Sequence, residues 1–134
     1  MRPVAAAGIT AAVLALTACG SGSKGEQAAA GPSLKTFTVS ETDFKLSPAT
    51  FTIDKAGTYT FHAVNHGQVV HSLEIEGKGV EAKLGSDLQP GASGDLEVAL
   101  PAGTYEIYCP VGSHKDMGME GKVKVAGGSA RSGY

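Results

Sequence analysis

Short runs in which apolar and polar residues alternate follow one another along most of this chain, and turn-forming residues separate them. In one such run Tyr59, Phe61 and Ala63 alternate with polar neighbours, which puts them on one face of a β-strand. Seven or eight runs of this kind occur at roughly even spacing, and no long helical period interrupts them. The pattern predicts an antiparallel β-sandwich or barrel. Residues 78–94 are the least regular stretch, and near residues 80–88 we expect a loop or a short helix.

Length and charge narrow the possible functions. The chain has 134 residues, which is enough for one domain. Its formal net charge is -2. Because no basic excess is available to neutralise a phosphate backbone, we expect no nucleic-acid partner.

The N-terminal segment is typical of an export signal. Arg2 precedes an uncharged and mostly apolar run over residues 4–16, which is shorter than the about 20 residues that a membrane-spanning helix needs. This predicts a signal peptide over residues 1–18. The sequence Leu-Thr-Ala-Cys-Gly ending at Gly20 resembles the lipobox of bacterial lipoproteins, in which the Cys is acylated. The resemblance implies that Cys19 is lipidated and anchors the chain to the extracytoplasmic face of the cell membrane; an ordinary signal peptide is the alternative.

Composition then divides the remainder of the chain. Residues 19–33 contain the lipidation Cys and a stretch of Gly, Ser and Ala with almost no large apolar side chain, which predicts a flexible linker. Residues 127–134 predict a flexible tail for the same reason. The folded domain is therefore expected over residues 34–126.

The sulfur-containing residues of this domain are clustered. If Cys19 is lipidated, Cys109 is the single remaining thiol and has no partner for an internal disulfide. The two methionines beyond the signal peptide, Met117 and Met119, lie within ten residues of it, and His114 lies between. Thiolate and thioether groups select soft metals, and imidazole suits copper, zinc and iron. The cluster indicates a metal site.

One further ligand would complete such a site. Cys109 ends a predicted strand and the return strand begins near Lys122, so the short loop between them can bring its side chains to one point. His71, which opens another strand, is the candidate from elsewhere, and His66 in the same turn is its rival. Two histidines and a cysteine with a weak axial methionine form a copper electron-transfer site.

These residues stand in a specific pattern. Cys-x₄-His-x₄-Met runs from Cys109, Gly-Met-x-Gly ends it, and Asn-x-Gly-x₃-His ends upstream at His71. The pattern resembles the cupredoxin family, which includes plastocyanin, azurin and auracyanin, over about residues 37–125. The resemblance implies an all-β, Greek-key β-sandwich of seven or eight strands that holds one copper ion in a type 1 site.

The resemblance also implies the ligands. His71, Cys109 and His114 would be the equatorial ligands and Met119 the axial one, although Met117 also lies within reach of His114 in sequence. The sequence departs from the family at Ser72, where Asn is frequent, so the hydrogen bonding between the two ligand segments is open.

The function implied is one-electron transfer between Cu(I) and Cu(II), not enzymatic turnover. The expected partners are a redox donor and acceptor and, through the lipid, the membrane; we expect a monomer. The alternative is a copper-binding lipoprotein for copper delivery, storage or resistance, with a copper acceptor as its partner. A thiol enzyme with Cys109 as nucleophile lacks an evident residue to orient its base.

Overall fold

The computed structural model describes residues 31–127. The predicted signal peptide, Cys19, all but the last three residues of the predicted linker and all but the first residue of the predicted tail lie outside the described residues, so those predictions stay predictions. Within the described range there are nine strands and one 3₁₀ turn, and no helix long and apolar enough to span a membrane. The strands are β1 (Thr36–Thr42), β2 (Lys45–Ser47), β3 (Thr50–Ile53), β4 (Gly57–Asn65), β5 (Glu74–Gly77), β6 (Val80–Lys83), β7 (Ser93–Leu100), β8 (Gly103–Tyr108) and β9 (Glu120–Val125).

Two sheets make up the sandwich. One has the order β2-β1-β4-β7 and the other β3-β9-β8-β5-β6. Hydrogen-bonded neighbours such as β4 and β7 are far apart in sequence, so the chain repeatedly crosses between the sheets, as a Greek-key sandwich requires. The predicted all-β sandwich is confirmed.

The core forms because alternation directs one face of each strand inward. In β4 the side chains of Tyr59, Phe61 and Ala63 are buried, as the sequence predicts, and Phe37 stacks on Phe61 with ring centroids 5.4 Å apart. Burial of a large apolar side chain stabilises the fold by about 1.5–3 kcal/mol, so the inward face supplies most of the driving force.

Three details differ from the sequence predictions. Residues 80–83 form strand β6, because Ile75 and its neighbours pair with it across a tight turn that contains Gly79 at a φ of 80°. This hairpin raises the strand number to nine. The sheets are also mixed, because β1 pairs parallel with β4 and β3 pairs parallel with β9.

The strand directions bring several segments to one end of the sandwich. β1 and β4 run parallel and therefore end together, at Thr42 and Asn65. In the other sheet Tyr108, the last residue of β8, pairs with Glu74, the first residue of β5. Three segments, which follow β1, β4 and β8, carry the residues described next; the one after β4 leads into β5.

Candidate metal centre

A loop after β4 carries His71 and is fixed by a single side chain. The amide of Asn65 donates to the carbonyls of Val69 and Leu88, both at 2.8 Å, and its oxygen accepts the backbone N–H of Gly67 at 2.8 Å. Asn65 is fully buried, so these bonds are shielded from water. They explain why the pattern Asn-x-Gly-x₃-His needs its Asn.

His71 itself is held by backbone pairing. It forms an isolated β-bridge with Leu88, whose carbonyl accepts the His71 amide at 3.0 Å and whose amide donates back at 2.7 Å. The imidazole is fully buried. His66, the rival ligand, is exposed and does not join the group of ligand atoms described below.

The second segment is the loop between β8 and β9, which is closed by its own backbone. The amide of Cys109 donates to the carbonyl of Met119 at 3.0 Å, and the amide of Met119 donates to the carbonyl of His114 at 3.1 Å. Lys115–Met117 is a 3₁₀ turn that ends at Gly118 with a φ of 116°, a left-handed conformation that favours glycine. These bonds turn Cys109, His114 and Met119 into one compact unit.

The glycine that ends the loop's motif has a packing role. A Cβ on Gly121 would overlap the backbone carbonyl of Ala49, and the next amide, that of Lys122, donates to the same carbonyl at 2.8 Å. In the Gly-Met-x-Gly pattern the first glycine, Gly118, adopts a left-handed conformation, and the second, Gly121, allows the backbone of Ala49 to pack closely against it.

The two segments bring three ligand atoms together. Sγ of Cys109 lies 3.6 Å from Nδ1 of His114 and 4.0 Å from Nδ1 of His71, and the two nitrogens are 3.2 Å apart. These three residues meet the geometric criterion for a shared metal ion, and no carboxylate belongs to their group. A mixed nitrogen and sulfur set of this kind fits copper or zinc and does not suit calcium or magnesium.

Burial distinguishes the two methionines. Met119 is fully buried in the same core cluster as Cys109, whereas 53% of Met117 is exposed. A weak axial ligand must lie beside the buried sulfur and nitrogen atoms, so the burial favours Met119.

The thiol of Cys109 lies in a setting that makes its free ionisation costly. Burial raises its pKa, while hydrogen bonds from the backbone amides of Val111 and Ser72 lower it. A bound cation would offset the cost of the buried thiolate. The hydrogen bond from the backbone amide of Ser72 to Cys109 connects the two ligand segments. The buried side-chain Oγ of Ser72 has no hydrogen-bond partner among the described residues.

Burial, followed by the neighbouring His71, lowers the pKa of His114. The neutral imidazole is the form that binds metals, so this shift favours ligation.

Sequence reasoning missed two contributors from the segment after β1. Oδ1 of Asp43 lies 2.8 Å from Nε2 of His71, and a hydrogen bond from the Gln68 amide holds the pKa of that carboxyl below its usual range. The ring of Phe44 lies 4.8 Å from that of His114, centroid to centroid. No local signal reveals either contact, because both depend on how the segment after β1 lies against the two ligand segments, which are distant from it in sequence.

Comparisons with known proteins agree with this geometry. A family model described as Cupredoxin-like domain matches residues 8–125. A comparison with curated protein sequences finds no match.

Solved structures show a similar fold. Auracyanin B aligns with a TM-score of 0.62 at 17% identity, over 71% of this chain and 91% of its own. The dithionite-reduced auracyanin of Roseiflexus castenholzii aligns with a TM-score of 0.59 at 20% identity, over 71% and 99%. The copper-containing nitrite reductase of Thermus scotoductus aligns with a TM-score of 0.59 at 16% identity, over 73% of this chain but 29% of its own.

Proposed function

Because this chain belongs to the cupredoxin-like domain family, we propose that it is a type 1 copper protein that carries single electrons at the extracytoplasmic face of a membrane. The observation that carries the proposal is the convergence of His71, Cys109 and His114 on one point, with all their ligand atoms within 4.8 Å of one another. When bound there, copper supplies one-electron chemistry by alternating between Cu(I) and Cu(II).

The residues around this point suit a carrier. Cu(I) and Cu(II) prefer different geometries, so a site that moved between them at each transfer would be slow. His71 is fixed by the bridge to Leu88, and Cys109 and His114 are fixed by the closed loop. These backbone bonds would limit the movement of the ligand residues when a bound copper ion changes its oxidation state.

Water exclusion supports the same role. Cys109, His71 and Met119 are fully buried, whereas His114 is only partly so. The imidazole of His114 is therefore the route by which we expect electrons to enter and leave. Its redox donor and acceptor would dock on the surrounding loop.

We propose a carrier rather than an enzyme. With Met119 as a fourth ligand, His71, Cys109 and His114 would leave no open position for a substrate on a bound ion, whereas catalytic zinc sites keep such a position. The nitrite reductase that shares the fold is a much longer chain, of which this protein matches 29%.

The membrane location rests on the sequence alone. Residues 16–20 resemble a lipobox, and acyl chains on Cys19 would tether the domain through the linker. Metabolic labelling with a radioactive fatty acid tests this. We expect label on the wild-type chain at the membrane, and none on Cys19→Ser, which should appear in the soluble fraction.

The central experiment uses the full chain, loaded with Cu(II). We expect an intense thiolate-to-copper absorption band that is absent in Cys109→Ser, and a rapid, reversible one-electron couple in voltammetry. A folded protein that stays colourless would overturn the proposal. Sluggish voltammetry combined with transfer of copper to a metal-free acceptor would instead support the alternative role in copper delivery or storage.

A further inference from the structure

Asp43 contacts the side of His71 that faces away from the ligand group. Its Oδ1 atom lies 2.8 Å from Nε2 of the imidazole, while Nδ1 of the same ring faces Cys109 and His114. A neutral imidazole carries one proton, on one nitrogen. If Nε2–H donates to the carboxylate, the lone pair of Nδ1 is free to bind a metal.

The carboxylate is itself held in place. Its second oxygen, Oδ2, accepts the backbone amide of Gln68 at 2.8 Å, so each oxygen has a separate partner. Only 22% of the Asp43 side chain is exposed, and His71 is fully buried. Water therefore reaches the carboxylate of the pair but not the imidazole.

Gly67 makes this contact possible. A Cβ at that position would overlap Oδ1 of Asp43 and would lie 2.9 Å from Nε2 of His71. Because Gly67 has no side chain, the loop after β4 leaves the space that the Asp43 carboxylate occupies.

On this basis, and resting on the copper site proposed above, we propose that Asp43 is a positioning residue that fixes the tautomer and orientation of His71 and lowers the reduction potential of the site. A carboxylate on the remote nitrogen of a ligand imidazole orients the ring and makes it a stronger donor. Its negative charge stabilises Cu(II) more than Cu(I), because the attraction grows with the charge of the ion.

Two substitutions separate orientation from charge. Asp43→Asn keeps the size of the side chain and one oxygen that can accept Nε2–H, but it removes the charge and the second acceptor, which bonds the Gln68 amide; Asp43→Ala removes the charge and both acceptors. We expect Asp43→Asn to keep the absorption band and to have a higher reduction potential. We expect Asp43→Ala to bind copper about 10- to 100-fold more weakly.

The chain offers a matched control. Asp95 lies 2.6 Å from Nδ1 of His62, a second Asp–His pair whose histidine is outside the ligand group. Asp95→Asn should leave both the potential and the copper affinity unchanged.

A measurement without metal separates this proposal from the proposed function. In the copper-free protein, nitrogen NMR of the imidazoles should show His71 protonated at Nε2 in the wild type and a mixture of tautomers in Asp43→Ala. Circular dichroism verifies that each variant is folded. The proposal is overturned if His71 carries its proton on Nδ1 in the wild type, or if Asp43→Asn and wild type have equal potentials.

Discussion

His71 and His114 face each other through their Nδ1 atoms, which lie 3.2 Å apart. One of these nitrogens belongs to a buried ring and the other to a ring that reaches the surface. A metal that binds both rings through these atoms needs the lone pair of each, so each neutral ring must then carry its proton on Nε2. Because the ring of His71 is buried and that of His114 reaches the surface, the two histidines differ in how readily they can be replaced.

His114 should be replaceable by a small molecule. His114→Gly removes a partly exposed ring from the loop surface, and we expect loss of the absorption band and its recovery when free imidazole is added. His71→Gly should not be rescued, because its ring is fully buried. Visible spectra during an imidazole titration measure both. Equal rescue of the two variants would contradict the difference in burial between His71 and His114.

The two methionines should respond differently to substitution. Met119→Leu removes the buried thioether, and we expect a higher reduction potential because the axial ligand tunes the potential of such sites. Met117→Leu changes an exposed side chain and should leave the potential as it is. Voltammetry of both variants is the measurement. The reverse result would make Met117 the axial ligand.

Gly67 should be intolerant of a methyl group. Gly67→Ala places a Cβ against Asp43 and His71, and we expect a loss of about 1–3 kcal/mol in the free energy of unfolding, together with weaker copper binding. Gly85→Ala is the control, since its Cβ would meet open space. Denaturant unfolding and copper titration compare the two. Indistinguishable variants would show that the loop can move aside without loss.

Glu41 should make stability depend on pH. Its carboxyl is buried without a hydrogen-bond partner among the described residues, and burial raises its pKa from 4.5 to about 8. Between these values the unfolded chain is ionised and the folded chain is not, so raising the pH favours unfolding. The stability is complete below about pH 4.5 and falls as the pH rises to about 8, by at most about 5 kcal/mol.

Substitution at this position tests the effect. Glu41→Gln cannot ionise, so its free energy of unfolding should fall less than that of the wild type across the same range. Glu97→Gln, on an exposed position of β7, should behave like the wild type. Urea unfolding at several pH values measures all three proteins. Parallel pH curves for Glu41→Gln and wild type would assign the effect to other groups.

Much of the site can be predicted from sequence because three of its residues share one short loop. A loop that leaves one strand and returns in the next must bring Cys109, His114 and Met119 close together. His71 is identified from its place at the start of a predicted strand and from its spacing from Asn65, and the bonds of the Asn65 side chain explain that spacing.

What sequence could not predict depends on contacts between distant strands. Asp43 reaches His71 because β1 lies parallel to β4. The alternation of apolar and polar residues within one strand does not indicate which other strand pairs with it. Strand β6 was missed for a similar reason, since its pairing with β5 determines its conformation. Glu41 did leave a signal, because it lies two residues after the buried Val39 and so on the same inward face.

The Cys109–Met119 hydrogen bond joins the two ends of the ligand loop. This bond continues the antiparallel pairing of β8 and β9 one step beyond Tyr108 and Glu120. A change in the length of the segment between Cys109 and Met119 would therefore act on the ligand geometry more than on the pairing of the two strands.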